Sequence, residues 1–84
     1  MIARVYVTLK RGVLDPQGQA VSRSLGRLGF DEVKDARIGK YIELVLDEQA
    51  GGDAKARLQQ MCEKLLANTV IEEYRIEIGE PERP

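Results

Sequence analysis

The alternation of apolar and polar residues predicts four short strands. Residues 2–10 place one set of side chains on an apolar face and the other on a polar face: Ala3, Val5, Val7 and Leu9 against Arg4, Tyr6, Thr8 and Lys10. Residues 33–38, 41–46 and 70–78 show the same kind of pattern. Gly39 and Lys40 separate the middle two, and a glycine at this position predicts the type II′ turn of a β-hairpin.

Two helices are predicted between these strands. Asp15 is a good N-cap and Pro16 is tolerated in the first helical turn. An apolar stripe follows at helical spacing, and Gly29 is expected to end the helix in the left-handed conformation with Phe30 contacting Leu25; the stripe comprises Val21, Leu25 and Leu28. Asp53 is predicted to cap a second helix, with Asn68 as its left-handed stop and a core stripe of Ala54, Leu58, Met61 and Leu65.

The order β-α-β-β-α-β predicts an α+β fold of the ferredoxin-like type. Right-handed crossovers would give a four-stranded antiparallel sheet with both helices on one face. We expect residues 1–78 to form a single domain and residues 79–84 a flexible tail. The opposite sheet face would be left bare, with tyrosines and aliphatic residues among charges. We expect a self-association surface there, formed by Tyr6, Thr8, Tyr41, Glu43 and Val45.

The length and net charge of the chain limit the classes of function that it can have. A chain of 84 residues buries only a modest fraction of its surface, so an oligomer or a subunit of a larger assembly is expected. The net charge of −1 disfavours nucleic-acid binding, although Tyr6 and Tyr41 could stack on bases. No apolar run approaches the length of a membrane span, and a cytoplasmic location is the expectation.

The stretch "LKRGVLDPQG", residues 9–18, is a candidate ligand-binding loop. It lacks the Walker A and dinucleotide-binding glycine patterns. Helix capping by Asp15 and Pro16 explains it without a ligand, whereas Lys10 and Arg11 keep an anion-binding alternative open. A small-molecule-binding ferredoxin-like regulatory module is therefore the alternative function.

Catalytic equipment is missing from the sequence. There is no histidine, which excludes Ser-His-Asp and Cys-His catalysis and a zinc site built on imidazole. The single cysteine, Cys62, has no base to activate it and is interpreted as a packing residue. We predict no catalytic, cofactor-binding or metal-binding residue in this chain.

Three segments, "VTLKRGVLDPQGQAV", "LGRLGFDEVKDARIGKYIELVL" and "CEKLLANTVIEEYRIEI", together closely resemble the PurS family. This family is the small subunit of phosphoribosylformylglycinamidine (FGAM) synthase in purine biosynthesis. The resemblance implies a non-catalytic subunit of a complex that uses ATP, Mg and glutamine-derived ammonia. The implied partners are a second copy of the chain, in a dimer or dimer of dimers, the large synthetase subunit and the glutaminase subunit.

The resemblance also suggests where the partners dock. The loop after the first strand and the segment around Gly39 become candidate docking surfaces. The candidates are Lys10, Gly12, Asp15, Pro16, Gln17, Arg37, Gly39 and Lys40.

Overall fold

The computed structural model describes residues 1–47 and 53–79. Three strands, two α-helices and a short π-helical segment follow one another along the chain. They are β1 (Ile2–Leu9), α1 (Pro16–Arg27), β2 (Gly39–Val45), α2 (Ala54–Met61), the π-helical segment (Cys62–Leu66) and β3 (Glu72–Gly79).

The sheet is built around β1, which lies between β2 and β3 and is antiparallel to both. Val5 faces Ile42 on one side and Ile76 on the other. The predicted alternation of β1 is confirmed, since Ala3, Val5 and Val7 are at most 1% exposed. These side chains are buried because β1 is the central strand, with a neighbouring strand on each side. One face of β1 is also covered by α2 and the π-helical segment.

The predicted fourth strand and its hairpin are wrong for this chain. Residues 33–38 form no strand, and Gly39 and Lys40 belong to β2, where they pair with Thr8 and Val7. Gly39 lies so close to β1 that an added Cβ would overlap the carbonyl oxygen of Val7. The glycine therefore permits close strand packing rather than a turn.

Both ends of α1 form as predicted. The Asp15 carboxylate accepts a hydrogen bond from the Gly18 N–H at 2.9 Å, which caps the first turn. Gly29 has a φ of +99°, and the Phe30 N–H donates to the Leu25 carbonyl at 2.9 Å. This is the Schellman arrangement, in which the residue two beyond the cap bonds back into the last turn.

The position of α1 differs from the prediction, because it has no extensive contact with any strand of its own chain. The radius of gyration is 16.2 Å, whereas a compact chain of this length would have about 12 Å. The longest dimension is 50 Å, about twice the length of an eight-residue strand. We call α1 together with residues 28–38 the arm, because it projects from the body formed by the sheet and α2.

The base of the arm is held by Asp15. One carboxylate oxygen accepts the Gly18 N–H and the other accepts the Ile38 N–H, both at 2.9 Å. Gly18 is buried there, and a Cβ on it would overlap the carbonyl oxygen of Ala36. The first turn of α1 and the segment returning to β2 are thus packed backbone to backbone.

The second helix covers the sheet with a different stripe from the one predicted. Leu58 and Cys62 are fully buried, whereas Met61 is 36% and Leu65 82% exposed. The Ala67 N–H bonds to the Cys62 carbonyl, so the last turn is widened to a π-helix and Leu66 rather than Leu65 packs on the core. The predicted packing role of Cys62 agrees with this burial.

The end of the π-helical segment also differs from the prediction. No non-glycine residue in the described ranges has a positive φ, so Asn68 is not a left-handed stop. Its side-chain oxygen instead accepts the Val70 N–H at 3.2 Å, and this local turn leads into β3. Gly79 closes β3; residues 48–52 of the predicted loop and residues 80–84 of the predicted tail lie outside the described residues.

Gly18→Ala is expected to lower the free energy of unfolding by about 1–3 kcal/mol, because the new methyl group overlaps the Ala36 carbonyl. Gly26→Ala is the matched control in the same helix, where a Cβ meets nothing within 4 Å. It should stabilise the protein by about 0.5–1 kcal/mol. Urea denaturation of both variants measures the two effects, and equal effects of the same sign would contradict the packing at Gly18.

Asp15→Asn is expected to remove a pH-dependent part of the stability. The backbone N–H groups of Gly18 and Ile38 hold the pKa of the Asp15 carboxyl below its ordinary value of 3.8. A lowered pKa in the folded state means that the stabilisation is complete above about pH 4 and is lost as the pH falls further. Denaturation curves of wild type and variant between pH 7 and pH 2.5 should converge at the acid end; a constant difference would contradict this role.

Candidate docking surface

The eight predicted docking residues lie around one corner of the body, where β1 leaves the sheet and the arm begins. The Val13 N–H donates to the Lys10 carbonyl, and Gly12 has a φ of +89°. These features form a β-turn whose third residue requires a positive φ. The turn directs the chain from β1 to the Asp15 cap.

Two shallow depressions share this corner. One of about 360 Å³ is lined by the turn, the cap and the returning segment, including Lys10, Gly12, Asp15 and Arg37. The other, of about 500 Å³, includes Asp15, Pro16, Gln17, Gly39 and Lys40. The structure therefore brings all eight candidates together, and Asp15 belongs to both depressions.

Sequence reasoning missed the contribution of Asp35 to this corner. Asp35 lines the first depression but was not among the docking candidates, and Arg11, which was considered only for anion binding, lines it as well. Asp35 accepts the N–H of Ala36 at 2.9 Å, an Asx-type contact that shapes the returning segment. The separation of 24 residues between Arg11 and Asp35 leaves no local sequence signal that they meet.

Some of the charged side chains at the corner are hydrogen-bonded within the chain, and others are exposed. The Lys40 ammonium donates to the Leu66 carbonyl at 3.2 Å and so ties β2 to the end of the π-helical segment. The Asp15 carboxylate is used by two backbone N–H groups. Lys10, Arg11 and Arg37 are exposed cations beside them and outnumber the exposed Asp35 carboxylate, so the rim of the corner is predominantly basic.

The bare sheet face, the second predicted surface, is a layer of paired side chains. The rings of Tyr6 and Tyr41 lie 5.2 Å apart between centroids, and the Arg75 guanidinium lies 4.2 Å above the Tyr6 ring. The Tyr6 hydroxyl donates to Glu77 at 2.9 Å, and the Tyr41 hydroxyl donates to Glu43 at 2.8 Å. The tyrosines therefore make ring and hydroxyl contacts within the chain.

These contacts within the chain do not test whether the bare face binds a second copy, so self-association through this face stays a prediction. Hydrogen bonding to Glu77 raises the pKa of Tyr6, and hydrogen bonding to Glu43 raises that of Tyr41. Thr8 is half-buried on the same face, whereas Val45 is 82% exposed at the edge. Any copy that docks here must accommodate a mostly polar layer with one apolar edge.

Neither Cys62 nor Tyr74 is an activated nucleophile in this structure. Burial raises the pKa of the Cys62 thiol, and a hydrogen bond to Glu63 raises the pKa of Tyr74 to about 12. Neither group is ionised near neutral pH, where a nucleophile would have to act. Within residues 1–47 and 53–79 no group of three or more acidic or thiol side chains is placed to hold a metal ion.

Among the described helices none is long and apolar enough to cross a membrane.

Comparison with known proteins identifies the family. Residues 2–80 match the family model of PurS, phosphoribosylformylglycinamidine (FGAM) synthase. The chain is 54% identical to subunit PurS of this synthase from Bacillus subtilis (strain 168) over 77 residues, covering 92% of this chain and 90% of that protein.

Solved structures agree with the sequence comparison. The B. subtilis PurS C2 crystal form superposes with a TM-score of 0.82 at 52% identity, over 94% of this chain and 98% of that one. A chain of PurLQS from Thermotoga maritima superposes with a TM-score of 0.71 at 29% identity, over 92% and 96%. The chain, with its projecting arm, belongs to the PurS family of FGAM synthase subunits.

Proposed function

We propose that this chain is the non-catalytic small subunit of FGAM synthase in purine biosynthesis. The observation that carries the proposal is the match to PurS proteins over nearly the whole chain, in sequence and in structure. The agreement with subunits rather than sensors favours this function over the regulatory-module alternative.

The assembly would contain the chain itself, a synthetase subunit and a glutaminase subunit. The T. maritima PurLQS structure, in which a PurS-like chain occurs, supports such an assembly. In the proposed complex the synthetase carries ATP and Mg, the glutaminase releases ammonia, and this chain binds neither cofactor. Its task is to hold the other two subunits together.

The physical benefit of an adaptor lies in the fate of ammonia. Ammonia released into water is protonated and diluted, and the protonated form is not a nucleophile. Holding the two active sites in one closed assembly raises the effective concentration of ammonia at the acceptor site and keeps bulk water out. This effect needs rigid docking surfaces rather than reactive side chains.

The basic corner is the surface we assign to partner docking. Lys10 and Arg37 are exposed and project from a turn and a return segment that Asp15 holds in place. A preorganised basic rim favours a partner surface that carries carboxylates, because charge complementarity orients association. Because the hydrogen bonds of Asp15 already hold the returning segment in place, less conformational entropy is lost when a partner docks.

Adding this chain to the synthetase and glutaminase subunits is expected to restore synthesis of the amidine product from glutamine. A high concentration of an ammonium salt should support synthesis without it, because ammonia is then supplied directly. Product formation from both nitrogen sources is measured with and without the chain. An equal glutamine-dependent rate in both cases would overturn the proposed function.

Lys10→Glu combined with Arg37→Glu is expected to lower glutamine-dependent synthesis by about tenfold, since like charges across an interface weaken binding. Lys55→Glu, an exposed lysine on α2, is the matched control and should have little effect. Ammonium-dependent synthesis should be unchanged in every sample. A loss of the same size with Lys55→Glu would show that the corner has no special part in docking.

A further inference from the structure

The first depression at the corner, of about 360 Å³, gathers three cations from two distant parts of the chain. Lys10 and Arg11 follow β1, whereas Arg37 lies in the segment that returns to β2. All three side chains are exposed. Because the whole chain has a net charge of −1, this concentration of positive charge does not reflect a generally basic protein.

The three cations are not neutralised by ion pairs. In residues 1–47 and 53–79 none of them forms a salt bridge. The two carboxylates that line the depression have backbone partners, since both oxygens of Asp15 accept N–H groups and Asp35 accepts the Ala36 N–H. The charge of Arg37 helps to lower the pKa of Asp15 without a salt-bridge contact. The cations are therefore available to an anionic ligand.

Backbone hydrogen bonds hold both cation-bearing segments in place. The Asp15 carboxylate accepts the N–H of Ile38, the residue directly after Arg37, at 2.9 Å. The Val13 N–H donates to the Lys10 carbonyl at 3.1 Å and closes the turn on the other side. Because the two segments are already fixed, less conformational entropy is lost when the cations surround one anion.

The chemistry of the first depression fits a phosphate ester. A phosphate monoester carries a charge of about −1.5 to −2 at pH 7 and three acceptor oxygens, which suits several cations around one point. Guanidinium groups bind such oxygens in a bidentate manner. The volume is within the range of clefts that hold small molecules. Gln19 and Asp35 also line the depression, and their amide and carboxylate groups can hydrogen-bond the hydroxyls of a sugar.

We propose that the first depression is a binding site for a sugar phosphate. The phosphate group binds between Lys10, Arg11 and Arg37, and the sugar hydroxyls bind to Gln19 and Asp35. The site goes beyond the proposed function, because it requires only the isolated chain and a small ligand. The same corner is the surface assigned to partner docking, so a bound sugar phosphate has to leave before a partner carboxylate takes its place.

Titration of the full chain with ribose 5-phosphate, followed by NMR of the backbone amides at constant ionic strength, tests the site. We expect saturable shifts concentrated in residues 10–14 and 35–37, with no comparable change in α2. Ribose and inorganic phosphate are titrated in the same buffer. Ribose should cause no shift, and inorganic phosphate should bind several-fold more weakly, because each of them makes only part of the contacts.

Lys10→Ala combined with Arg37→Ala is expected to weaken the binding of ribose 5-phosphate by at least about tenfold, because two charge-assisted contacts are lost. Lys34→Ala combined with Lys55→Ala is the matched control. It removes the same charge from two exposed lysines, one in the returning segment and one on α2, and should leave the affinity unchanged. The amide spectrum of each variant reports whether the fold is kept.

The comparison of the three ligands uses the wild-type chain, so it decides the question however the variants fold. Absence of saturable shifts at the corner, equal affinity for ribose 5-phosphate and inorganic phosphate, or an equal loss in the control variant would each overturn the proposal. If the chain restores glutamine-dependent synthesis but does not bind ribose 5-phosphate, the site is overturned and the subunit function stands. Binding without restored synthesis would support the site and overturn the subunit function.

Discussion

The Asp15 carboxylate is the contact on which the layout of this chain depends. It joins the first turn of α1 to the residue that precedes β2 by accepting the N–H groups of Gly18 and Ile38. The two segments meet closely enough that position 18 has no room for a side chain. Because these two hydrogen bonds set the direction of the arm, they also determine which apolar surfaces of the chain are left uncovered.

The body alone has a small core. The fully buried side chains come from β1, α2 and the π-helical segment, with Leu58, Val5 and Val7 among the largest. None of the larger apolar side chains of the arm is fully buried, so they add little to this core within one chain. A domain of this size is marginal even when its layers are complete, which gives a physical reason for the chain to act as a subunit.

The architecture also separates roles in space. The corner around Asp15 carries exposed cations. An apolar groove beside α2 is lined by Leu44, Met61 and Leu65. The bare sheet face carries hydrogen-bonded tyrosines and charged side chains. The three surfaces differ in chemistry, and each of them is exposed on a single small sheet domain.

Local sequence signals determined much of this protein. The alternation in β1, the Asp15–Pro16 start of α1 and its Gly29 stop depend on interactions between near neighbours, and the structure has them where they were predicted. The absence of histidine excluded imidazole chemistry from composition alone, and the residue patterns of three segments indicated the PurS family. The eight docking candidates were chosen from the same resemblance; the structure places them at one corner, and their role in docking stays a prediction.

Only the tertiary structure decided the features that depend on residues distant in the chain. Gly39 is glycine because β1 passes close to it, not because the chain turns there. Leu65 is exposed and Leu66 packs on the core because a π-helical turn shifts the face that meets the sheet. The fourth strand is replaced by a return segment that bonds to Asp15, 23 residues away. Periodicity reports which side chains share a face, but it carries no information about what that face will meet.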